Sequence, residues 1–263
     1  MYDFTYSKPA SLGDAVAALS KDAEAKPLAG GMTYIPVLKQ RLAKPSAVVD
    51  LAGLGMSGII IVGGKVKIGA MTTHDTVAKH AGLKAAIPGL AALASGIGDE
   101  AVRHRGTIGG SLANNDPAAC YPSAALALGA TITTNKRSIA ADDFFQGMFT
   151  TALEHGEIIT EVEFPVPEKA AYEKFKNPAS RYAIVGVFVA KFANGARVAV
   201  TGASQSGVFR HEGMEKALSA NFSPDATKGV TTPADDMNGD IHASAEYRAH
   251  LVGVITKRAV AKA

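Results

Sequence analysis

The stretch from Arg103 to Pro122, RHRGTIGGSLANNDPAACYP, constrains this 263-residue chain more than any other. Three glycines fall within the five positions from Gly106 to Gly110, and glycine permits left-handed backbone and close approach to a ligand. Short polar side chains accompany them: Thr107, Ser111, Asn114, Asn115 and Asp116. The pattern predicts a tight turn whose exposed backbone N–H groups suit a phosphate or diphosphate, followed by a short apolar helix over Ser123–Leu128. A plain turn is the alternative, because Gly, Asn and Asp also cluster in ordinary turns.

Another glycine-rich segment, Ala29 to Thr33 (AGGMT), lies earlier in the chain and is called the first segment below, with Thr107 to Ser111 (TIGGS) as the second. It opens the segment from Thr33 to Leu42, in which Ile35, Leu38 and Leu42 have near-helical spacing. A glycine pair at a helix N-terminus suits an anion, because the unpaired N–H groups and the helix dipole point the same way. Taken singly, this segment is also typical of a simple turn.

The residue inventory excludes several kinds of site. Cys120 is the only cysteine, which rules out an internal disulfide and an iron–sulfur cluster or Cys-rich zinc site held by this chain alone. No set of His, Asp and Glu has metal-ligand spacing, so no metal site is predicted, and His74 is interpreted as a helix-capping or surface histidine. No catalytic dyad or triad is present in the pattern, and no catalytic residue is predicted. Redox chemistry here requires an organic cofactor or a partner.

Charge and apolar content exclude further classes. The formal net charge of +3, with Lys and Arg scattered along the chain, argues against a nucleic-acid partner. With 47% apolar and 19% charged residues, the chain is expected to form a globular core. The N-terminal sequence MYDFTYSKPAS has no signal-peptide pattern, and apolar runs such as Ala183–Ala190 are too short to cross a membrane. We therefore expect a cytoplasmic protein without a transmembrane segment.

Local patterns predict the secondary structure around these segments. Ser11, with a carboxylate three residues later, is typical of a capping box that starts a helix. Gly63-Gly64 and Asn194-Gly195 are favoured hairpin turns, the second between strands at Ala183–Phe192 and Arg197–Ala203. Further strands are expected over Ala47–Leu51, Ile59–Val62, Val66–Ile68, Thr131–Thr134, Glu157–Phe164 and Tyr172–Lys176, and further helices over Pro88–Ile97, Glu212–Leu218 and Ala245–Ala261.

The two glycine-rich segments, AGGMT and TIGGS in that order, resemble the paired FAD-binding signatures of the medium subunit of molybdenum hydroxylases. This family includes the flavoprotein subunit of aerobic carbon monoxide dehydrogenase and its xanthine-dehydrogenase-like relatives. Further strings extend the resemblance over essentially the whole chain: Pro45–Leu51 (PSAVVDL), Ile68–Thr72 (IGAMT), Ala125–Ala130 (ALALGA), Gly156–Ile159 (GEII), Tyr172–Lys176 (YEKFK) and Ala245–Arg248 (AEYR). The order and spacing of these strings together carry the resemblance.

The resemblance implies an α+β fold in three parts. Two α/β subdomains, residues 1–52 and 53–166, would form an FAD-binding domain of the vanillyl-alcohol-oxidase (PCMH) type. Residues 167–263 would form a C-terminal α+β domain with a small antiparallel sheet and helices, and the Pro165-Val166-Pro167 run supports a boundary at that point. In such proteins the FAD diphosphate lies between the two glycine-rich segments, which agrees with our interpretation of both as N–H donor sites.

The resemblance also implies FAD contacts at both segments and at positions beyond them. The expected cofactor-binding residues are Leu28, Ala29, Gly30, Gly31, Met32, Thr33, Tyr34, Ile97, Val102, Gly106, Thr107, Ile108, Gly109, Gly110, Ser111, Asn114, Asp116, Cys120, Ile158, Ile159, Lys174 and Tyr182. The implied roles are ribose or phosphate contacts for Asn114 and Asp116, backbone contacts to adenine for Ile158 and Ile159, a basic group near the flavin for Lys174, and packing on the isoalloxazine faces for Ile97 and Tyr182. Core packing is the alternative for Ile97 and Ile159, and a strand start for Tyr182.

The sequence departs from the family pattern at three places. Met32-Thr33 stands where many relatives have a polar pair, which backbone contacts tolerate. Ser111 replaces a frequent asparagine and has a shorter reach. Cys120 stands where many relatives carry an aspartate near the ribose, and a neutral thiol is a weak hydrogen-bond partner. Asp116 is a candidate to compensate for that carboxylate, and Cys120 itself is either a cofactor contact or a small buried packing residue.

The implied function is that of the FAD-carrying subunit of a heterotrimeric molybdenum hydroxylase, an oxidoreductase. In that family a large subunit oxidises the substrate at a molybdenum cofactor, and a small subunit passes electrons through two [2Fe–2S] clusters to the FAD, which reduces an external acceptor. The expected partners are these two subunits, in a dimer of heterotrimers. Two alternatives remain open: a self-contained flavin-dependent oxidase, and a non-catalytic assembly subunit that has lost FAD.

Overall fold

The computed structural model describes residues 1–263 and contains three sheets of three or more strands, each built by a separate part of the chain. We call the first part, residues 5–50, the first unit. Its elements are β1 (Thr5–Ser7), α1 (Leu12–Ser20), β2 (Lys26–Leu28), α2 (Tyr34–Lys39) and β3 (Ala47–Asp50). β3 lies in the middle of the sheet and pairs in parallel with β1 and β2. The Ser11 hydroxyl accepts a hydrogen bond from the Asp14 N–H at 3.1 Å, so α1 begins at the predicted cap.

The second unit, residues 59–165, has an antiparallel five-stranded sheet covered by short helices. Its first elements are β4 (Ile59–Val62), β5 (Lys65–Gly69), α3 (His74–Lys79), α4 (Ala81–Ala86), α5 (Pro88–Ser95), α6 (Glu100–Arg105), α7 (Ile108–Asn114) and α8 (Tyr121–Leu128). The chain continues through β6 (Thr131–Thr134), β7 (Ser138–Ala140), α9 (Ala141–Phe144), β8 (Phe145–Gly147), β9 (Thr150–Thr151) and β10 (Ile159–Pro165). The order in the sheet is β4-β5-β10-β6-β7, while β8 and β9 form a separate hairpin. The predicted hairpin through Gly63-Gly64 is present as β4 and β5.

The third unit, residues 169–262, has a four-stranded antiparallel sheet with two helices. Its elements are β11 (Lys169–Lys176), β12 (Ala183–Phe192), β13 (Gly195–Ser204), β14 (Gly207–Arg210), α10 (Glu212–Ala220), a 3₁₀ turn (Pro224–Thr227) and α11 (Ala245–Lys262). The strands follow one another in the order β11-β12-β13-β14. The Asn194-Gly195 hairpin joins β12 to β13 as predicted. None of the helices combines the length and the apolar character that a membrane crossing requires.

The sheet of the third unit is buried on both faces, which explains the long apolar run in β12. Phe188 and Ala190 point into the core of the second unit, which also contains Leu90, Leu93 and Phe164. Residues of the opposite parity, Val185, Val187 and Val189, pack instead in a core with residues of α10 and α11. A strand that is covered on both faces reads as a continuous apolar run. The third unit is therefore firmly packed against the second unit.

Candidate functional site

A cavity of about 520 Å³ lies where the three units meet. The first unit contributes the segment 26–34 to its wall, the second unit contributes the TIGGS segment and the start of β10, and the third unit contributes Lys174 and residues 180–182. Every residue of the expected cofactor-binding set lines this cavity except Ile108. The side chain of Ile108 is fully buried and packs in the core of the second unit. The structure thus brings together residues that lie far apart in the chain.

The first glycine-rich segment offers free backbone donors to the cavity. The five N–H groups from Gly30 to Tyr34 have no hydrogen-bond acceptor within the chain. Pairing begins only with Ile35, whose N–H donates to the Gly31 carbonyl at 2.9 Å. The next residue, Pro36, has no N–H and suits the first turn of α2. Gly31 has φ +75°, a conformation that favours glycine. The predicted donor site at this segment is therefore present.

The second glycine-rich segment differs from the prediction of a turn with exposed N–H groups. The Thr107 hydroxyl caps α7 by accepting the Gly110 N–H at 3.1 Å, so the glycine pair lies in the first turn of a helix. Three further N–H groups are also paired within the chain: Ile108 with Thr72 O at 3.1 Å, Gly109 with Ala70 O at 2.9 Å and Ser111 with Thr107 O at 3.0 Å, whereas the N–H of Thr107 has no acceptor within the chain. The donor site predicted at this segment is therefore wrong for these four groups.

The glycines of the second segment are required by close packing, because none of the three has a positive φ. A Cβ on Gly109 would lie 2.6 Å from the Ala70 Cβ, and a Cβ on Gly30 would overlap the Arg105 carbonyl. Ala29 lies 3.4 Å from the position of a Cβ on Gly110. These contacts place the two glycine-rich segments side by side, as the resemblance implies.

The remaining wall is held in place by side chains that bridge the units. Lys174 Nζ donates to the carbonyl oxygens of Gly96 and Arg181, both at 2.8 Å, and lies 3.5 Å from the Cys120 sulfur. Cys120 is buried. The buried Thr201 hydroxyl contacts the carbonyl oxygens of Pro117 and Ala119 at 3.0 and 2.7 Å. The third unit thereby fixes the loop that carries Asp116 and Cys120.

Ile158 and Ile159 also line the cavity and are buried, at 4% and 5% exposure. The carboxylate of the preceding Glu157 accepts hydrogen bonds from Arg137, the Glu154 N–H and Thr134 at 3.1, 2.8 and 2.7 Å. Burial disfavours the charged carboxylate, but these hydrogen bonds outweigh burial and lower the pKa of Glu157 to about 2. The carboxylate is therefore ionised at neutral pH and anchors the start of β10.

Sequence reasoning missed His74, which also lines the cavity. It was expected to be a capping or surface histidine, but its exposed fraction is 5% and Thr73 caps α3 instead, by accepting the Thr76 N–H. Burial, together with the Arg103 guanidinium, lowers the pKa of His74 to about 4. The ring is therefore neutral at pH 7. The Thr-Thr-His-Asp pattern signals only a helix start, and burial of the imidazole depends on contacts with α6 and α8 that the local sequence does not contain.

The cavity has the volume and the lining of a ligand-binding site. Its volume lies in the range of small-molecule sites, and apolar side chains such as Ile97 and Val102 accompany the free N–H groups. The Tyr34 hydroxyl and the His74 Nδ1 are enclosed without a partner within the chain. Such enclosed, unpaired atoms are uncommon, because buried polar groups are normally paired. The fold and the cavity together define a dinucleotide-binding protein.

Comparison with known proteins gives the family. Residues 2–167 match the family described as the FAD binding domain in molybdopterin dehydrogenase. The carbon monoxide dehydrogenase medium chain of Afipia carboxidovorans is 36% identical over 99% of this chain and 96% of its own length. The nicotine 6-hydroxylase medium subunit of Paenarthrobacter nicotinovorans is 34% identical over 98% of this chain and 96% of its own.

Comparison with solved structures indicates the same family. The reconstituted CO dehydrogenase from Oligotropha carboxidovorans matches 99% of this chain and 97% of its own with a TM-score of 0.90 and 35% identity. This chain therefore belongs to the FAD-binding family of the molybdopterin dehydrogenases. The expected family, α+β fold class, FAD cofactor and oxidoreductase class are confirmed. The domain limits and the contacts of individual residues with FAD stay predictions.

Proposed function

We propose that this chain is the FAD-carrying electron-transfer subunit of a heterotrimeric molybdenum hydroxylase. It would take electrons from the [2Fe–2S] clusters of a small partner subunit and deliver them to an external acceptor, while a large subunit with the molybdenum cofactor oxidises the substrate. The observation that carries the proposal is the cavity, whose wall combines five free backbone N–H groups with apolar side chains. The single cysteine supports it, because the clusters require thiolates from another chain.

Bound FAD supplies the redox chemistry, and the protein supplies binding, orientation and shielding. The N–H groups from Gly30 to Tyr34 would bind the diphosphate, since unpaired donors at a helix start attract anions without a lysine. Gly106 and Gly110, on the neighbouring segment, also line the cavity, and their backbone would lie beside the dinucleotide. Asn114 and Asp116 would reach the ribose or phosphate groups.

The apolar walls would orient the ring systems and exclude water. Ile158 and Ile159 would meet the adenine, and Ile97 would pack on one face of the isoalloxazine. Tyr182 has an exposed fraction of 49% and lies in the cavity wall, where it would cover the other face. Lys174 would place its amino group near the flavin, while the same group donates to the Gly96 and Arg181 carbonyls.

Expression of the tagged chain in its native host, so that any assembled subunits co-purify, tests the proposal. We expect about one FAD per chain by chromatography of the released flavin, together with a molybdenum-containing large subunit and a small subunit with four iron atoms per trimer. A colourless protein that takes up no added FAD would contradict the proposal. Flavin reduction by a substrate with the purified chain alone would instead support a self-contained oxidase.

A further inference from the structure

We propose that His74 is an FAD-binding residue whose Nε2–H donates a hydrogen bond to the diphosphate of the bound dinucleotide. This inference rests on the proposed function, because it assumes that FAD occupies the cavity at the meeting point of the three units. His74 is absent from the residues that the sequence pattern indicates. Three features of the structure support the assignment: the burial of the ring, its unpaired nitrogens and its position beside both glycine-rich segments.

The imidazole of His74 is enclosed by the protein. Its exposed fraction is 5%. The centroid of its ring lies 5.3 Å from the ring centroid of Tyr121, which is fully buried. The backbone N–H of His74 donates to the Gly106 carbonyl at 2.9 Å, which fixes the start of α3 against the second glycine-rich segment. The ring therefore has little freedom to turn away from the cavity that it lines.

Neither ring nitrogen of His74 has a hydrogen-bond partner within the chain. Nδ1 is completely enclosed and unpaired. A neutral imidazole carries one N–H donor and one acceptor nitrogen, and the N–H is favoured on the nitrogen that can find an acceptor. The enclosed Nδ1 has none, which leaves Nε2 as the donor toward the cavity. An acceptor in the cavity would pair with Nε2–H, whereas Nδ1 would stay enclosed.

The position of Nε2 selects the diphosphate as the acceptor. A Cβ on Gly106 would lie 2.6 Å from Nε2, so glycine at this position makes room for the imidazole. A Cβ on Gly30 would lie 3.0 Å from the Cα of the same Gly106. Gly30 is the first of the five residues with free N–H groups. The imidazole and these donors therefore adjoin the same short piece of backbone, where an anionic group of the ligand would be bound.

Because the imidazole is neutral, its proposed role at the diphosphate differs from that of a cationic side chain. Burial and the Arg103 guanidinium keep the imidazole neutral at pH 7, and Arg103 itself donates to the Ile97 and Gly98 carbonyls at 3.0 and 3.1 Å. His74 would thus contribute a directed neutral donor. The competing explanation is that the ring only fills space beneath Gly106, and this explanation predicts no contact with the ligand.

The test compares FAD binding to the apo forms of the wild-type chain, His74→Gln and His74→Leu by fluorescence titration, with ³¹P spectra of the bound FAD. Glutamine places an N–H near the position of Nε2, whereas leucine keeps volume without a donor. We expect His74→Leu to bind FAD on the order of tenfold more weakly than the wild-type chain. One of the two ³¹P resonances of the diphosphate should also shift in this variant. His74→Gln should restore most of the affinity. Wild-type affinity and resonances in His74→Leu, or equal weakening in both variants without a resonance shift, would overturn the inference.

A second measurement keeps the inference testable if His74→Leu does not fold. In wild-type chain labelled with ¹⁵N-histidine, the inference predicts that FAD shifts the Nε2 resonance of His74, assigned by its loss in His74→Gln, and slows exchange of its proton. An unchanged resonance in FAD-bound protein would overturn the role of His74 alone. A wild-type chain that binds no FAD would overturn the proposed function, and this inference with it.

Discussion

The two glycine-rich segments have similar compositions but different physical roles. In AGGMT, Gly31 adopts a positive φ and the N–H groups from Gly30 to Tyr34 are unpaired. In TIGGS, the N–H groups from Ile108 to Ser111 are paired, and Gly109 is required by contact with Ala70. Composition thus indicates where a site lies, but only the pairing of each N–H group tells which segment can donate to a ligand. On this account the first segment binds the diphosphate, and the second segment supports the cavity wall by packing.

The largest effect is expected for Gly31→Val, which attacks the donor segment. A β-branched residue at φ +75° is strained, and its Cβ would lie 2.6 Å from the Ile35 side chain, so the free N–H groups would be displaced. We expect FAD affinity to fall by roughly a hundredfold or more, as measured by fluorescence titration. Gly229→Val is the matched control, because Gly229 has φ +80° and no atom near the position of its Cβ. Equal FAD binding by the two variants would contradict the ligand-binding role assigned to the first segment.

Gly109→Ala is expected to affect stability more than binding, because this glycine serves packing. The added Cβ would lie 2.6 Å from the Ala70 Cβ and 2.8 Å from the Ala70 carbonyl oxygen. We expect the free energy of unfolding to fall by about 1–3 kcal/mol in urea titrations, with a smaller loss of FAD affinity than in Gly31→Val. Gly13→Ala in α1, where the nearest atom to the new Cβ is 3.8 Å away, should not destabilise the chain. A variant at Gly109 that keeps its stability but loses FAD would reverse the assigned roles.

Glu157→Gln tests the part of the cavity wall at the start of β10. The carboxylate side chain is fully buried and its pKa is lowered from 4.5 to about 2, so its ionised form stabilises the native state above pH 4.5. We expect the substitution to lower the free energy of unfolding by about 2 kcal/mol at pH 7. The difference from wild type should shrink as the pH falls from 4.5 toward 2, because the wild-type carboxylate then becomes protonated. Glu154→Gln, at a side chain with 58% exposure, should change stability little, and a pH-independent difference for Glu157→Gln would contradict the assigned cause.

The smallest effect is expected for Thr201→Val, which removes the hydroxyl that holds the Asp116–Cys120 loop from the third unit. Loss of its contacts with Pro117 and Ala119 should cost about 1 kcal/mol of stability and weaken FAD binding severalfold. Thr256→Val is the control, since its buried hydroxyl bonds the Val252 carbonyl at 2.7 Å within α11. It should cost similar stability and leave FAD affinity unchanged. Unchanged binding in both variants would show that FAD binding does not depend on the Thr201 hydroxyl.

Much of the fold follows from local sequence patterns. The cap at Ser11, the hairpin through Gly63-Gly64 and the Asn194-Gly195 turn are present as predicted, because each depends on neighbours within a few residues. The apolar run of β12 was also identified as a strand, since burial on both faces leaves no polar position. Helix α7 was missed because two glycines in its first turn lower helix propensity, whereas the Thr107 cap and contacts with Ala70 compensate in the folded chain.

The candidate site was predictable through the family resemblance more than through its chemistry. The strings around AGGMT and TIGGS led to the residues that gather around the cavity, but the resemblance did not tell that Ile108 points into the core. The burial of His74 was not predictable from Thr-Thr-His-Asp, because the contacts with Gly106 and Tyr121 come from distant positions in the chain. Such long-range packing determines which polar atoms remain unpaired, and therefore which atoms can bind a ligand.

Amide hydrogen exchange of the chain with and without FAD tests the central claim most directly. The N–H groups from Gly30 to Tyr34 have no acceptor within the chain, whereas those from Ile108 to Ser111 are already paired. We predict that FAD strongly slows exchange at residues 30–34 and changes exchange at residues 108–111 much less. Unchanged exchange at residues 30–34 in FAD-bound protein, or new protection confined to residues 108–111, would contradict the division of roles between the two segments.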